Sequence, residues 1–191
     1  EAERRKYLQA YVANYLKLEI QAEQWVRKME PFRKFLPICA QMNGKIINYS
    51  KIAENVGVDT TTVQNYFEIL EDTLTGFKLE SYHQSIRKRQ LNSPKFYFFD
   101  LGVKRALDRT ITLDILPQTS AYGEAFEHFL ICEMHRRNAY LEKDYQFSYI
   151  QTKDGVEVDI VIERPGLPLV FVEIKSTNQV LPRHLSSVKS L

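Results

Sequence analysis

Two eight-residue runs near the end of the chain, Val156–Glu163 and Leu169–Ser176, set charged side chains among β-branched and aromatic ones. Such runs favour strands, in which a period of two sends successive side chains to opposite faces. The connector Arg164-Pro165-Gly166-Leu167-Pro168 fits a five-residue hairpin loop. A hairpin symmetric about Gly166 places Asp159 opposite Glu173 and Glu157 opposite Lys175. Glu157, Asp159 and Val161 then share one face, while Glu173 and Lys175 lie ~6.6–6.8 Å apart along the second strand. A slip of one residue would turn every one of these side chains to the other face.

Two carboxylates opposed at ~5 Å repel each other and weaken a hairpin. A hard divalent cation removes that penalty, and carboxylate oxygens suit Mg2+ or Mn2+. The expected metal ligands are therefore Asp159 and Glu173, with Lys175 placed to act on an attacking water or on a phosphate in the transition state. This is the logic of metal-dependent phosphodiester hydrolysis. The competing readings are a non-catalytic interaction module, in which the same residues form an internal salt-bridged face, and a DNA-binding module with a degenerate nuclease fold.

A third carboxylate comes from the segment ahead of these strands. The spacing predicts a helix over 119–137, with Tyr122, Phe126, Phe129, Leu130 and Met134 as its apolar arc. Glu127 falls on the buried side of that wheel and Glu124 at the solvent boundary. A glutamate turned toward a sheet needs a partner, so Glu127 joins the candidate catalytic group. Strands over Tyr145–Gln151, Val156–Glu163 and Leu169–Ser176 follow, and a helical tail starts near Leu181.

Residues 1–30 are rich in Lys, Arg and Glu, with Leu8, Tyr11, Val12 and Tyr15 spaced as an amphipathic stripe, a helical linker or lid. Pro31 opens the next helix, where Phe32, Phe35, Leu36 and Cys39 form a stripe ending near Gly44. Ser50 is the expected N-cap of a short helix that Gly57 stops. Asp59 or Thr60 starts another, lined by Val63, Tyr66, Phe67 and Leu70. Strand-like Phe77–Glu80 and Lys95–Phe99 come next, and Asp100 caps a further helix. Two short helices and a hairpin over residues 31–110 read as a winged helix-turn-helix. In that motif Thr62, Gln64 and Asn65 are DNA-contact candidates, and Arg87, Lys88 and Arg89 would meet backbone phosphates. The same helix has no Lys or Arg and carries Glu68, Glu71 and Asp72, which favours protein packing over DNA.

Composition excludes several classes. With 44% hydrophobic and 26% charged residues among 191, the chain is not wholly disordered. No apolar run reaches the ~18 residues of a membrane-spanning helix, and no secretory segment opens the chain. Cys39 and Cys132 form no CxxC pair, as fits reduced thiols in a cytoplasmic protein. His128 and Cys132 have ligand spacing, but no third ligand lies near them for zinc. A net charge of +2 does not by itself announce nucleic acid. Glu1 rather than Met opens the chain, so a fragment or a processed chain is expected.

Gly123-Glu124-Ala125-Phe126-Glu127, Glu157-Val158-Asp159 and Glu173-Ile174-Lys175-Ser176 together resemble the PD-(D/E)XK restriction-endonuclease-like core. Leu91–Gly102, with the winged helix ahead of that core, resembles the C-terminal region that follows the ATPase domain in prokaryotic AAA+-type ATPases. Tyr7–Ile20 resembles the end of that ATPase region. The resemblance implies an α/β chain with three parts. These are a helical segment over residues 1–30, a winged helix-turn-helix over 31–110, and an α-β-β-β-α nuclease-like core over 111–191 that ends short of its usual further strand. It also implies an upstream ATPase domain in the same polypeptide, an intracellular, cytoplasmic setting and a nuclease-like fold whose activity is generally unestablished. DNA processing is the function expected from the paired face of the hairpin and the inward Glu127. The chain itself has no GxxxxGK[ST], so ATP would be held only by that absent upstream domain. Oligomers are compatible with this reading, and a membrane partner is not expected.

Overall fold

The computed structural model describes residues 2–15, 26, 29–85, 92–152 and 155–189. Cα packing divides the chain into two compact units, Glu1–Lys78 with Phe96–Asp114, and Leu79–Lys95 with Ile115–Leu191.

The first unit is mainly helical. It contains α1 (Ala2–Ala10), which runs into a π-turn over Tyr11–Tyr15, then α2 (Met29–Gln41), α3 (Tyr49–Val56), α4 (Thr60–Asp72) and α5 (Leu101–Leu107). Phe32, Phe35, Leu36 and Cys39 on α2 are buried, as their spacing predicts. Pro37 lies inside α2, where it removes one intrahelical hydrogen bond. The apolar stripe on either side of it holds the helix to the core nonetheless. Burial raises the Cys39 thiol well above its ordinary pKa, so it behaves as a small apolar group.

Asn48, rather than Ser50, caps α3, its Oδ1 accepting from Lys51 N at 3.0 Å. The helix therefore starts two residues earlier than Ser50 implies. Gly57 ends it in the left-handed region at φ 81°, a conformation glycine adopts without the Cβ penalty. Asp59 caps α4 by accepting from Thr62 N at 2.7 Å, and Val63, Tyr66, Phe67 and Leu70 line its buried face. The rings meet edge-on: Phe35 with Phe67 at 5.0 Å and 88°, and Phe32 with Tyr66 at 5.0 Å and 85°. Val12 joins this core, and Leu8 and Tyr11 pack against it. Asp100 caps α5 through Val103 N at 2.9 Å.

The strands are β1 (Gly76–Ser81), β2 (Lys95–Phe98), β3 (Gln146–Gln151), β4 (Glu157–Glu163) and β5 (Val170–Val172). They form one mixed sheet in the order β2-β1-β3-β4-β5. β1 runs parallel to β3 through Glu80–Ser148 and Ser81–Tyr149, whereas β3–β4 and β4–β5 are antiparallel. The α/β class expected from the sequence is thus observed.

In the second unit α6 (Ser120–Tyr140) precedes the antiparallel β3, β4 and β5, and a 3-10 turn (Pro182–Leu185) leads into α7 (Ser186–Lys189). The buried face of α6 is His128, Ile131 and Cys132, not the arc predicted for it. Phe129 is 54% exposed. Aromatic residues dominate the helical wheel, but the helix turns its smaller and polar side chains inward. No helix among the described residues is long and apolar enough to cross a membrane.

Candidate functional site

The hairpin β4–β5 has the register that symmetry about Gly166 demands, with Ile160–Val172, Val161–Phe171 and Ile162–Val170 paired. Gly166 supplies the turn at φ 71°, and Leu167 N donates to Arg164 O at 3.1 Å across it. One step beyond the last pair stand Asp159 and Glu173. There the ladder stops, because Ile174 N donates to the Asp159 carboxylate, Oδ2, at 2.6 Å. β5 is accordingly three residues long, shorter than the Leu169–Ser176 run. A side-chain acceptor has taken the place of a backbone one.

Asp159 is buried at 7% exposure on β4, which has Val158, Ile160 and Val161 buried on either side of it. The Glu173 side chain keeps 10% of its exposure. Its Oε1 accepts from Lys175 Nζ at 2.6 Å. Its Oε2 is buried with no hydrogen-bond partner among the described residues. An ionised oxygen withdrawn from water in this way is costly unless a donor or a cation meets it. Lys175 is about half exposed, and five influences set its pKa. Partial burial pulls it down, but the Glu173 hydrogen bond and the negative charges of Asp159, Glu173 and Glu127 outweigh that and raise it above the ordinary lysine value. Asp159, Glu173, Lys175 and Glu127 therefore form one electrostatic group. Glu127 is half buried and Glu124 exposed, the order expected from the helix wheel although its arc was misplaced.

The expected pairing of Glu157 with Lys175 is replaced by another. Glu157 Oε1 accepts from Lys95 Nζ at 2.7 Å, with the lysine side chain 5% exposed and the glutamate 45%. Lys95 Nζ also lies 5.2 Å from the centre of the Tyr149 ring. Burial, with the charges of Glu80 and Glu157, pushes the Tyr149 hydroxyl up to about 12, and that hydroxyl donates to Ser93 O at 2.6 Å. Nothing in the hairpin pattern signals this cluster, since Lys95 is 62 residues from Glu157.

A divalent cation fits the donor set at the hairpin. Asp159 and Glu173 supply hard oxygen ligands, and the orphaned Glu173 Oε2 lacks the partner that a cation would provide. Among the described residues no three His, Cys, Asp or Glu side chains gather where they could hold a metal ion. The site is an open pair of carboxylates rather than a closed cage.

Lys175 also borders a cleft of about 480 Å3. Tyr122 and Phe126 of α6 form part of its wall, with Gln118 before the helix and Ser176 to Gln179 after the hairpin. Thr119 caps α6 there, its Oγ1 accepting from Tyr122 N at 3.2 Å.

The DNA-contact candidates on α4 are divided. Gln64 and Asn65 are exposed, whereas Thr62 is half buried and its hydroxyl donates to Asp59 Oδ2 at 2.8 Å, committed to the helix cap. Arg87, Lys88 and Arg89 lie outside the described residues.

Fold and site together define a mixed α/β protein with an acidic pair and a lysine at the end of a sheet hairpin. Residues 1–115 match the family described as Domain of unknown function (DUF8612), and the chain belongs to that family. Residues 122–191 match Domain of unknown function (DUF4143), a domain usually found in AAA-ATPase-associated proteins. Among curated proteins, the chain is similar to "Uncharacterized protein Mb2031c" of Mycobacterium bovis and "Uncharacterized protein Rv2008c" of Mycobacterium tuberculosis. Each is 28% identical over 88% of this chain and 37% of the relative. "Uncharacterized protein MJ1637" of Methanocaldococcus jannaschii is 26% identical over 91% of this chain and 38% of its own length. The chain thus spans well under half the length of these relatives. No solved structure matches it.

Proposed function

We propose that the chain is the C-terminal portion of a cytoplasmic AAA+-type ATPase and carries a divalent-metal-dependent, nuclease-like site that processes DNA. The observation that carries this reading is the buried, unpartnered Glu173 Oε2 beside Asp159 and the Lys175 ammonium. Asp159 and Glu173 would hold Mg2+ or Mn2+, which supplies Lewis-acid activation of water and charge neutralisation at a phosphate. Lys175, kept protonated by three neighbouring carboxylates, serves as a cation toward a phosphate oxygen or a bound water and not as a general base. Glu127 acts through its charge, holding Lys175 in the ammonium form. In this reading α3, α4, β1 and β2 form a winged helix-turn-helix, with Gln64, Asn65 and Arg87–Arg89 toward DNA.

Plasmid and branched DNA incubated with Mn2+ test the proposal directly. The wild-type chain is expected to nick DNA, Asp159→Ala to abolish nicking, and Lys175→Ala to slow it about 100-fold or more. Equal cleavage by all three, or none at any metal concentration, removes the enzyme reading.

The Glu173–Lys175 ion pair favours a second reading, a non-catalytic interaction module in which this face is an internal salt bridge. It predicts no Mg2+, Mn2+ or Ca2+ binding by calorimetry and no thermal shift on adding metal.

A further inference from the structure

We infer that the cleft beside Lys175 receives one unpaired nucleotide of a single-stranded nucleic acid, so that the substrate of the neighbouring site is single-stranded. The inference rests on the nuclease-like reading and names its substrate class. Its basis is the chemistry of the cleft wall. At about 480 Å3 the cleft is of the size that small-ligand sites have. Two rings, Tyr122 and Phe126, stand one turn apart on the same helix, half buried and open to the cleft. Every nucleobase has a π-face, and a ring that is held on a helix offers a stacking platform without loss of side-chain freedom at binding.

The rest of the lining reads the edge of a base rather than its face. The side-chain amides of Gln118, Asn178 and Gln179 make no hydrogen bond to other described residues, and each carries both donors and an acceptor. Gln118 sits at φ 65°, a left-handed backbone that a non-glycine residue adopts at some cost and that is found disproportionately at binding sites. These amides are exposed, so an apolar ligand would leave them to water and a bare anion would leave the rings unused. A nucleotide satisfies both, with its phosphate toward the Lys175 ammonium at the cleft border. A base inside a duplex cannot reach such a wall without first leaving its stack, which selects for single strands.

Fluorescence anisotropy with a short fluorescein-labelled oligothymidylate, in EDTA and again in Ca2+, tests this apart from cleavage. In at least one of the two buffers the full chain should bind the single strand more tightly than a duplex of the same length. Loss of one stacking ring, Tyr122→Ala, should weaken single-strand binding about 5-fold or more, and Tyr122→Phe should restore it. Asn178→Ala, a change at an exposed position, should also weaken it, so the result does not hang on one variant. Equal affinity for single strand and duplex, or affinity unchanged by both Tyr122→Ala and Asn178→Ala, overturns the inference. Absence of cleavage with intact single-strand binding would instead remove the nuclease reading and leave the cleft as a nucleotide-binding site.

Discussion

In the first unit the side chains most withdrawn from water are rings and branched aliphatics, among them Phe32, Phe35, Phe67, Leu70 and Phe98. In the second they include His128, Ser148, Asp159 and Lys95. Apart from Thr75, every buried polar or charged residue described belongs to the second unit. An apolar core is stabilised by removing area from water and asks nothing further of its members. A buried charge must find a partner, and most sequences avoid the problem. The contrast puts the apolar packing in the first unit and the buried polar groups in the second. Ser148 Oγ, Arg164 Nε and Glu173 Oε2, all in the second unit, are buried with no hydrogen-bond partner among the described residues, and Ser148 stands at an irregularity in the β3–β4 ladder.

The sharpest test of this contrast is a cavity in the aromatic core. Phe67→Ala removes a ring that meets Phe35, Tyr49 and Phe96 edge-on, and should cost about 3–5 kcal/mol in urea denaturation. Next comes an asymmetry in the second unit. Glu157→Ala strands the ammonium of Lys95 and should cost about 3 kcal/mol, while Lys95→Met leaves only a half-exposed carboxylate and should cost less than about 1 kcal/mol. Equal losses for the two would mean that Lys95 is not held by charge. A smaller effect is expected at Asp159. Its replacement by Ala leaves Ile174 N without an acceptor and should destabilise by about 1–3 kcal/mol, whereas Asn keeps an acceptor oxygen and should cost less.

The smallest effect is one of pH. His135 is exposed as a residue, but partial desolvation of its ring holds the imidazole below its ordinary pKa. The unfolded chain therefore binds the proton first as pH falls, so the stability this residue contributes is full above about pH 6.5 and is lost below it. His135→Leu should flatten the stability profile over that acidic window relative to wild type. An unchanged slope would place the histidine in water.

Much of the first unit can be read from spacing alone. The α2 stripe, the Asp59 and Asp100 caps and the Gly57 stop are local patterns that depend on neighbours within a turn or two. Where the reading missed, a closer competitor was present: Asn48 offers the same cap as Ser50 from a position that starts the helix earlier. On α6 the difference has another origin. Large rings dominate any hydrophobic wheel, yet Phe129 faces water while His128 and Cys132 are buried, so side-chain size alone does not pick the packed face.

The hairpin divides the two kinds of information most clearly. Sequence alone determined its turn, its register and hence the meeting of Asp159 with Glu173, since a five-residue loop centred on glycine leaves little freedom in pairing. Tertiary structure decided what those residues do with their atoms. It ended the ladder by giving Ile174 N to Asp159, joined Lys175 to Glu173, and drew Glu157 away to Lys95. Registers follow from local geometry, whereas the partner of a charge depends on whatever distant segment the fold brings within hydrogen-bond reach.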